Sequence, residues 1–324
     1  MKTLPRLRFA HLPTPIEPLP RLSAALGGPR LLVKRDDLTG LALGGNKTRK
    51  LEFLIAEAQA NGARTLITTG AVQSNHCRQT AAAAARFGFE SILVLAGEPS
   101  APSGNLLLDQ LFGSEIVWAP PNRRDQVLKD TFQSAWEAGR RPYLVPYGGS
   151  NATGAAAYVF AMQELLQQDP SPDWIVFPSS SGGTQAGLVL GARLFGYKGK
   201  VLGISVDQPG PRLRQDVSAL AGATADFLAE KLSFSPDDIL VDDSFLGGGY
   251  GVMGEPELEA IRLFARTEGL LLDPVYTARA AAGLIDLAHR GFFASGQTVL
   301  FWHTGGTPAL FAEKYQDIGI TPSR

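Results

Sequence analysis

From Arg64 onward, short apolar runs rich in β-branched residues alternate with stretches of helical periodicity, and few folds accommodate that alternation. Parallel strands must be joined by long crossovers, and a helix is the usual one. Thr65 to Thr69, Ser91 to Leu95, Glu115 to Trp118 and Tyr143 to Pro146 read as strands, with helices starting near Asn75, Gly104, Asn122 and Ala152. A second set follows: Trp174 to Phe177, Val201 to Val206, Leu270 to Leu272 and Thr298 to Trp302, again with helices between. The stretch Asp169-Pro170-Ser171-Pro172 is too short for a flexible linker and reads as a loop into the second set. The expected fold class is α/β with largely parallel sheets. A chain of 324 residues has room for two lobes, each with its own core.

Charge narrows the range of partners. The formal net charge is −1, with no basic stripe and no aromatic-basic interleaving, so no nucleic-acid partner is expected and a small uncharged or zwitterionic ligand fits better. Cys77 is the sole cysteine, which rules out an intrachain disulfide, fits a reducing compartment and reads as a buried helix residue. Lys2, Arg6 and Arg8 near the N-terminus are not followed by an apolar core or a small-residue cleavage site, so no secretion signal is expected. The longest apolar runs are strand-sized or alanine-rich. The expectation is a soluble, cytoplasmic protein with no membrane partner and no metal.

Within this frame the segment Gly44-Gly45-Asn46-Lys47-Thr48-Arg49-Lys50 stands out. Lysine is the usual amine for Schiff-base chemistry, and flanking glycines let the backbone approach a ligand. A solvated surface turn before a helix starting near Thr48 explains the same residues. A phosphate-cradling P-loop does not, because Asn46 separates Gly45 from Lys47, and Lys34-Arg35-Asp36-Asp37 reads as a charged turn where that motif needs a buried strand.

Other segments fall where α/β sheets place ligands, at strand carboxyl ends. Ser179-Ser180-Ser181-Gly182-Gly183-Thr184-Gln185-Ala186-Gly187 follows a strand and opens a helix running towards Phe195. Converging N–H groups and a helix N-terminus there suit an anion, and the absence of Lys or Arg inside the loop favours a single phosphate monoester over a triphosphate. The segment Gly70 to His76 contains Gln73, Ser74, Asn75 and His76; Ser74 can bind a carboxylate or simply cap the next helix. Tyr250, among Gly247, Gly248, Gly249 and Gly251, and Tyr276, after Asp273-Pro274-Val275, can bring phenols to a ligand or sit at a domain edge. Trp302-His303-Thr304-Gly305-Gly306 puts Thr304 at another sheet edge.

Together these motifs, with His11-Leu12-Pro13-Thr14-Pro15, Lys34-Arg35-Asp36-Asp37 and Leu272-Asp273-Pro274-Val275-Tyr276, resemble the D-cysteine desulfhydrase and 1-aminocyclopropane-1-carboxylate (ACC) deaminase family of pyridoxal-phosphate enzymes over nearly the whole chain. The resemblance implies the tryptophan-synthase-β-like fold (fold type II), with a large domain of residues 1–48 and 155–324, a small domain of residues 49–154, and a homodimer. It implies pyridoxal 5'-phosphate as cofactor and a small amino acid as substrate. Lys47 would carry the cofactor, Ser180, Ser181, Gly182, Gly183 and Thr184 would hold its phosphate, and Asn75 would meet its ring hydroxyl. Ser74 would hold the substrate carboxylate beside Gln73, Asn75 and His76, while Tyr250 and Tyr276 would flank the substrate. ACC deaminases carry Glu and Leu where this chain has Thr277 and Thr304, so the resemblance favours elimination from D-cysteine to pyruvate, sulfide and ammonia. L-Cysteate sulfo-lyases share the framework, and a silent amino-acid sensor on the same fold is the non-enzymatic alternative. Ser180-Ser181-Gly182-Gly183 departs from the Gly-Ser-Ala-Gly often found in desulfhydrases.

Overall fold

The structure, a computed structural model, describes residues 2–316. Its strands are β1 (Ile16–Pro18), β2 (Arg30–Arg35), β3 (Thr65–Ala71), β4 (Glu90–Ala96), β5 (Glu115–Ala119), β6 (Pro142–Leu144), β7 (Trp174–Ser179), β8 (Lys200–Ser205), β9 (Leu240–Asp242) and β10 (Thr298–His303). Between them run α1 (Pro20–Leu26), α2 (Asn46–Ala60), α3 (Asn75–Phe87), α4 (Gly104–Leu111), α5 (Arg124–Glu137), α6 (Ala152–Gln167), α7 (Gly183–Leu194), α8 (Gly210–Phe227), α9 (Glu255–Glu268) and α10 (Thr277–His289).

Two sheets result, in the orders β1-β2-β10-β7-β8-β9 and β5-β4-β3-β6. Every pairing is parallel except β1 with β2. Helices cover both faces, so the inner strands are buried on both sides and read as continuous apolar runs. In β10, Val299 and Phe301 enter one core cluster while Leu300 and Trp302 enter the other, as the two-residue period of a strand requires. Each such side chain removed from water contributes about 1.5–3 kcal/mol. Helices α6 and α7 lie too close for a side chain at Gly187, whose Cβ would stand 2.2 Å from the Ala155 carbonyl oxygen.

The strands differ from expectation in several respects, the simplest being the short strands β1 and β9, which the sequence did not suggest. Leu270 to Leu272 is not a strand, although its burial alternates as one would. It forms no ladder, and the Leu271 carbonyl accepts from His303 Nε2 at 3.1 Å. Conversely, Lys34 and Arg35 belong to β2 and not to a charged turn; Lys34 is fully buried, its amine bonded to Glu164 Oε1 at 2.6 Å. Among the described residues no helix is long and apolar enough to cross a membrane, and no group of metal-ligating side chains gathers.

Because β2, β10 and β7 are neighbours and parallel, their carboxyl ends present the turn before Lys47, the Thr304-Gly305-Gly306 turn and the 180–183 loop side by side. The carboxyl end of β3 brings residues 74–76 of the other sheet to the same place.

Candidate active site

A cavity at this junction is lined by Lys47, Ser74, Asn75, His76, Tyr276 and Thr304, and by the loop of Ser180, Ser181, Gly182 and Thr184. Lys47 reaches it from the first turn of α2. The preceding turn is left-handed at four consecutive residues, Ala42 (φ 51°), Leu43 (φ 68°), Gly44 (φ 68°) and Gly45 (φ 125°). The two residues with side chains cost roughly 1–2 kcal/mol each in that region. Only glycine fits at position 44, since a Cβ there would lie 1.8 Å from the Asp37 carbonyl oxygen.

The Lys47 amine donates to Asn46 Oδ1 at 3.0 Å and stands 6.0 Å from the centre of the Tyr276 ring. Burial brings its pKa down to about 8; Asp273 opposes the shift and Arg78 adds to it. Asn46 in turn donates to Thr184 Oγ1 at 3.1 Å, tying the first turn of α2 to the start of α7.

The loop after β7 has the character of an anion cradle. Gly182 is left-handed, and the first N–H groups of α7 lie outside the helical ladder. A Cβ on Gly183 would come within 2.6 Å of Ser150 Oγ and 3.0 Å of Lys50 Nζ, so the glycine leaves this space open. Lys50 is fully buried, donates to the Gly148 carbonyl at 3.0 Å, and lies 3.3 Å from Ser150 Oγ. Burial, together with Lys47, pushes its amine well below the ordinary lysine range. A phosphate here would favour the protonated Lys50 amine and meet helix N-terminal N–H groups, of which the Gly183 N–H now donates to Ser150 Oγ at 3.2 Å, so the residues present fit a phosphate monoester. Lys50 escaped the sequence reading, which sought cations inside the loop. Its spacing of three from Lys47, which places both on one helix face, was the available signal. Ser150, Tyr147 and Gly148 were missed as well, and the last two line the cavity. Burial raises the Tyr147 phenol to about 12. Ser180 contributes differently from expectation, because its hydroxyl donates to Asp207 Oδ2 at 2.9 Å.

Ser74 caps α3 by accepting the Cys77 N–H at 3.2 Å, a contact that leaves its own hydrogen available. Asn75 accepts from Asn105 Nδ2 at 2.9 Å, so its Nδ2 remains a donor. Thr68 gives its hydrogen to the Val145 carbonyl, which fixes His76 Nε2 as the donor to Thr68 Oγ1 at 2.9 Å and leaves Nδ1 buried without a protein partner. Burial holds the imidazole well below its usual pKa and therefore neutral, with Lys47 and Lys50 adding to the effect. The phenols of Tyr250 and Tyr276 are hydrogen-bonded at 2.6 Å with their rings edge to face, and both are pushed far up by burial.

Of the expected residues, Gln73, Gly183, Tyr250 and Thr277 are not part of the cavity lining; Gly183 adjoins it within the 180–184 loop and Tyr250 through its bond to Tyr276, while Gln73 and Thr277 are engaged elsewhere. Gln73 is spent on α4, accepting the Asn105 N–H at 2.8 Å and donating to the Ser103 carbonyl at 3.0 Å. Thr277 is fully buried; its hydroxyl donates to Asp273 Oδ1 at 2.8 Å and accepts the Asp273 N–H at 2.7 Å. Its one hydrogen is thus unavailable to a ring nitrogen.

A profile of the family described as "Pyridoxal-phosphate dependent enzyme" matches residues 7–305. The D-cysteine desulfhydrase of Salmonella typhimurium is 44% identical over 318 residues, which cover 95% of this chain and 96% of that one. Among solved structures, one described as the ACC deaminase homologue superposes with a TM-score of 0.89 at 36% identity, covering 97% of this chain and 96% of the other.

Proposed function

The chain belongs to the family of pyridoxal-phosphate dependent enzymes, and from that premise we propose that it is a carbon–sulfur lyase converting D-cysteine and water to pyruvate, hydrogen sulfide and ammonia. The observation that carries the reading is the Lys47 amine, lowered to about 8 and placed in one cavity with an anion cradle. Lys47 would hold the aldehyde carbon of the cofactor, the Ser180 to Thr184 loop and Lys50 its phosphate, Asn75 its ring hydroxyl, and Thr304 would lie at the ring edge.

When bound, pyridoxal phosphate supplies an electron sink for the pair released at the amino acid's Cα. The protein's own part is to place and move protons. Ser74, with a free O–H, holds the substrate carboxylate against the N-terminus of α3, where the helix dipole favours an anion. Lys47 takes the Cα proton, a task suited to an amine whose pKa lies close to working pH. The phenol of Tyr276, bonded to Tyr250 and kept neutral by burial, would lie beside the departing sulfur as a hydrogen-bond donor.

Two predictions arise here. On protein freed of its cofactor, covalent attachment of pyridoxal phosphate should rise with pH through a midpoint near 8, because only the neutral amine attacks. Borohydride trapping across the pH range measures this, and a midpoint at the ordinary lysine value near 10.5 would refute it. The second concerns choice of substrate. Neither Thr277, tied to Asp273, nor Thr304 brings a carboxylate to the ring nitrogen, so the sink stays weak. Departure of a good sulfur leaving group tolerates that; opening a cyclopropane that has no Cα hydrogen does not. Sulfide, sulfite and ketoacid release should therefore be fastest from D-cysteine and weak or absent from ACC. Equal efficiency on ACC would sink the argument, and faster turnover of L-cysteate would make the protein a sulfo-lyase.

We also propose residues 49–154 as a small domain, a homodimer, and a cytoplasmic setting. The cytoplasmic setting is supported by the single buried thiol of Cys77.

A further inference from the structure

Arg78 is fully buried on α3 and, among the described residues, forms no ion pair. Its Nη1 donates to the Ala42 carbonyl at 2.8 Å and its Nη2 to the Gly44 carbonyl at 3.0 Å, while Nε has no partner. A buried cation that answers only neutral carbonyls is costly, and a neutral amide could satisfy a carbonyl more cheaply. The carbonyls it holds belong to the left-handed turn that ends two residues before Lys47, and the helix it extends from carries Ser74, Asn75 and His76 at its start. The side chain thus links the segment that delivers the amine to the helix that lines the opposite wall.

We infer that Arg78 is a positioning residue for Lys47: its two-pronged donation to the Ala42 and Gly44 carbonyls clamps the turn before the amine and holds a cation within that amine's surroundings. The inference rests on the reading of Lys47 as the reacting amine. Other charged and titratable groups around Lys47 are Asp273 and Tyr276 ahead of α10, Lys50 one turn along α2, and neutral His76 on α3. Asp273 pulls the amine up; Arg78 pushes it down. Behind Arg78, on α4, stands Asp109, whose carboxyl burial raises to about 8, so it is a poor counter-ion below that pH. Arg78 itself is lowered to about 10 by burial and therefore stays charged across the working range.

The test uses full-length Arg78→Met and Arg78→Lys, each freed of cofactor and compared with the parent. The first readout is the pH midpoint of borohydride-trapped pyridoxal phosphate on the Lys47 peptide. The second is hydrogen exchange at the Gly45 and Asn46 amides, which bond to the Asp36 and Thr304 carbonyls. Arg78→Met removes clamp and charge, so the midpoint should rise by at least half a unit, about threefold in trapping rate at pH 7.5, and both amides should exchange at least tenfold faster. Arg78→Lys keeps the charge and loses the fork, so the midpoint should hold while exchange still quickens. A merely structural arginine would change stability without moving the midpoint. If Arg78→Met leaves the midpoint and the exchange as in the parent, the inference is overturned. Should Arg78→Met fail to fold, unchanged exchange in Arg78→Lys overturns it equally. Absence of label from Lys47 in the parent would instead refute the functional reading, which keeps the two failures apart.

Discussion

Replacing Lys47 by alanine is expected to lower D-cysteine turnover by on the order of 10³-fold or more while pyridoxal phosphate stays bound. The substitution removes both the covalent anchor and the base at Cα. The anion cradle does not depend on it: the Ser180 to Thr184 loop is built by β7 and α7, and Lys50 is held by the Gly148 carbonyl at 3.0 Å. Lys50 cannot take over, because its amine faces the cradle from one helical turn further on. Turnover and cofactor retention after dialysis should therefore part company. Borohydride reduction of the parent enzyme followed by peptide mapping gives the companion result, with label on Lys47. Label on Lys34 or Lys50, or a Lys47→Ala enzyme that keeps even a tenth of its turnover, would remove Lys47 from the chemistry.

What could be read from the sequence here followed the reach of local patterns. The inner strands β3, β4, β7 and β10 announced themselves because parallel strands covered on both faces are continuously apolar. Strand β2 did not, since Lys34 in it looks like a surface residue until Glu164, 130 positions away, is brought to its amine. Leu270 to Leu272 failed in the other direction: it alternates like a strand but finds no neighbour to pair with. The same reasoning sorts the site. Ser74, Thr304 and the 180–184 loop were visible because strand carboxyl ends followed by glycine turns mark them, and Lys47 because two glycines and an asparagine precede a lysine. Gln73 was drawn in by adjacency and Thr277 by the family resemblance, yet their side chains turn away, one towards α4 and the other onto Asp273. Lys50 and Arg78 carry charge inside helices that are buried almost all round, where no amphipathic stripe distinguishes an inward residue from an outward one.

Arg49, between Lys47 and Lys50 on α2, should prove the costliest of these buried charges to remove. Its guanidinium grips Asp36 through Nε at 2.9 Å and Nη2 at 2.8 Å, and Glu164 through Nη1 at 2.8 Å and Nη2 at 2.9 Å. Tyr158 donates to Asp36 Oδ2 at 2.6 Å, and Lys34 bonds to Glu164. Burial alone would raise the Asp36 carboxyl, but Arg49, Lys34 and Tyr158 outweigh it and hold the group below its ordinary value. Arg49→Leu leaves Asp36 buried with its main counter-charge gone, which at neutral pH should cost about 3–5 kcal/mol of stability. The pH dependence follows from the sign of the shift. A carboxyl depressed in the fold stabilises the parent above its unfolded value, about 3.9, and that stabilisation is lost as pH falls through the lower, folded value. In the variant the Asp36 carboxyl is raised instead, so protonation relieves it, and the gap to the parent should narrow as the medium is acidified. Catalysis should suffer too, since the Asp36 carbonyl accepts the Gly45 N–H at 2.9 Å and thereby fixes the turn before Lys47. Urea unfolding of both proteins at neutral and acid pH measures the gap. A loss under about 1 kcal/mol at neutral pH, the size of an exposed pair, or a gap that widens in acid, would show that Asp36 is not held by Arg49 in the way these contacts require.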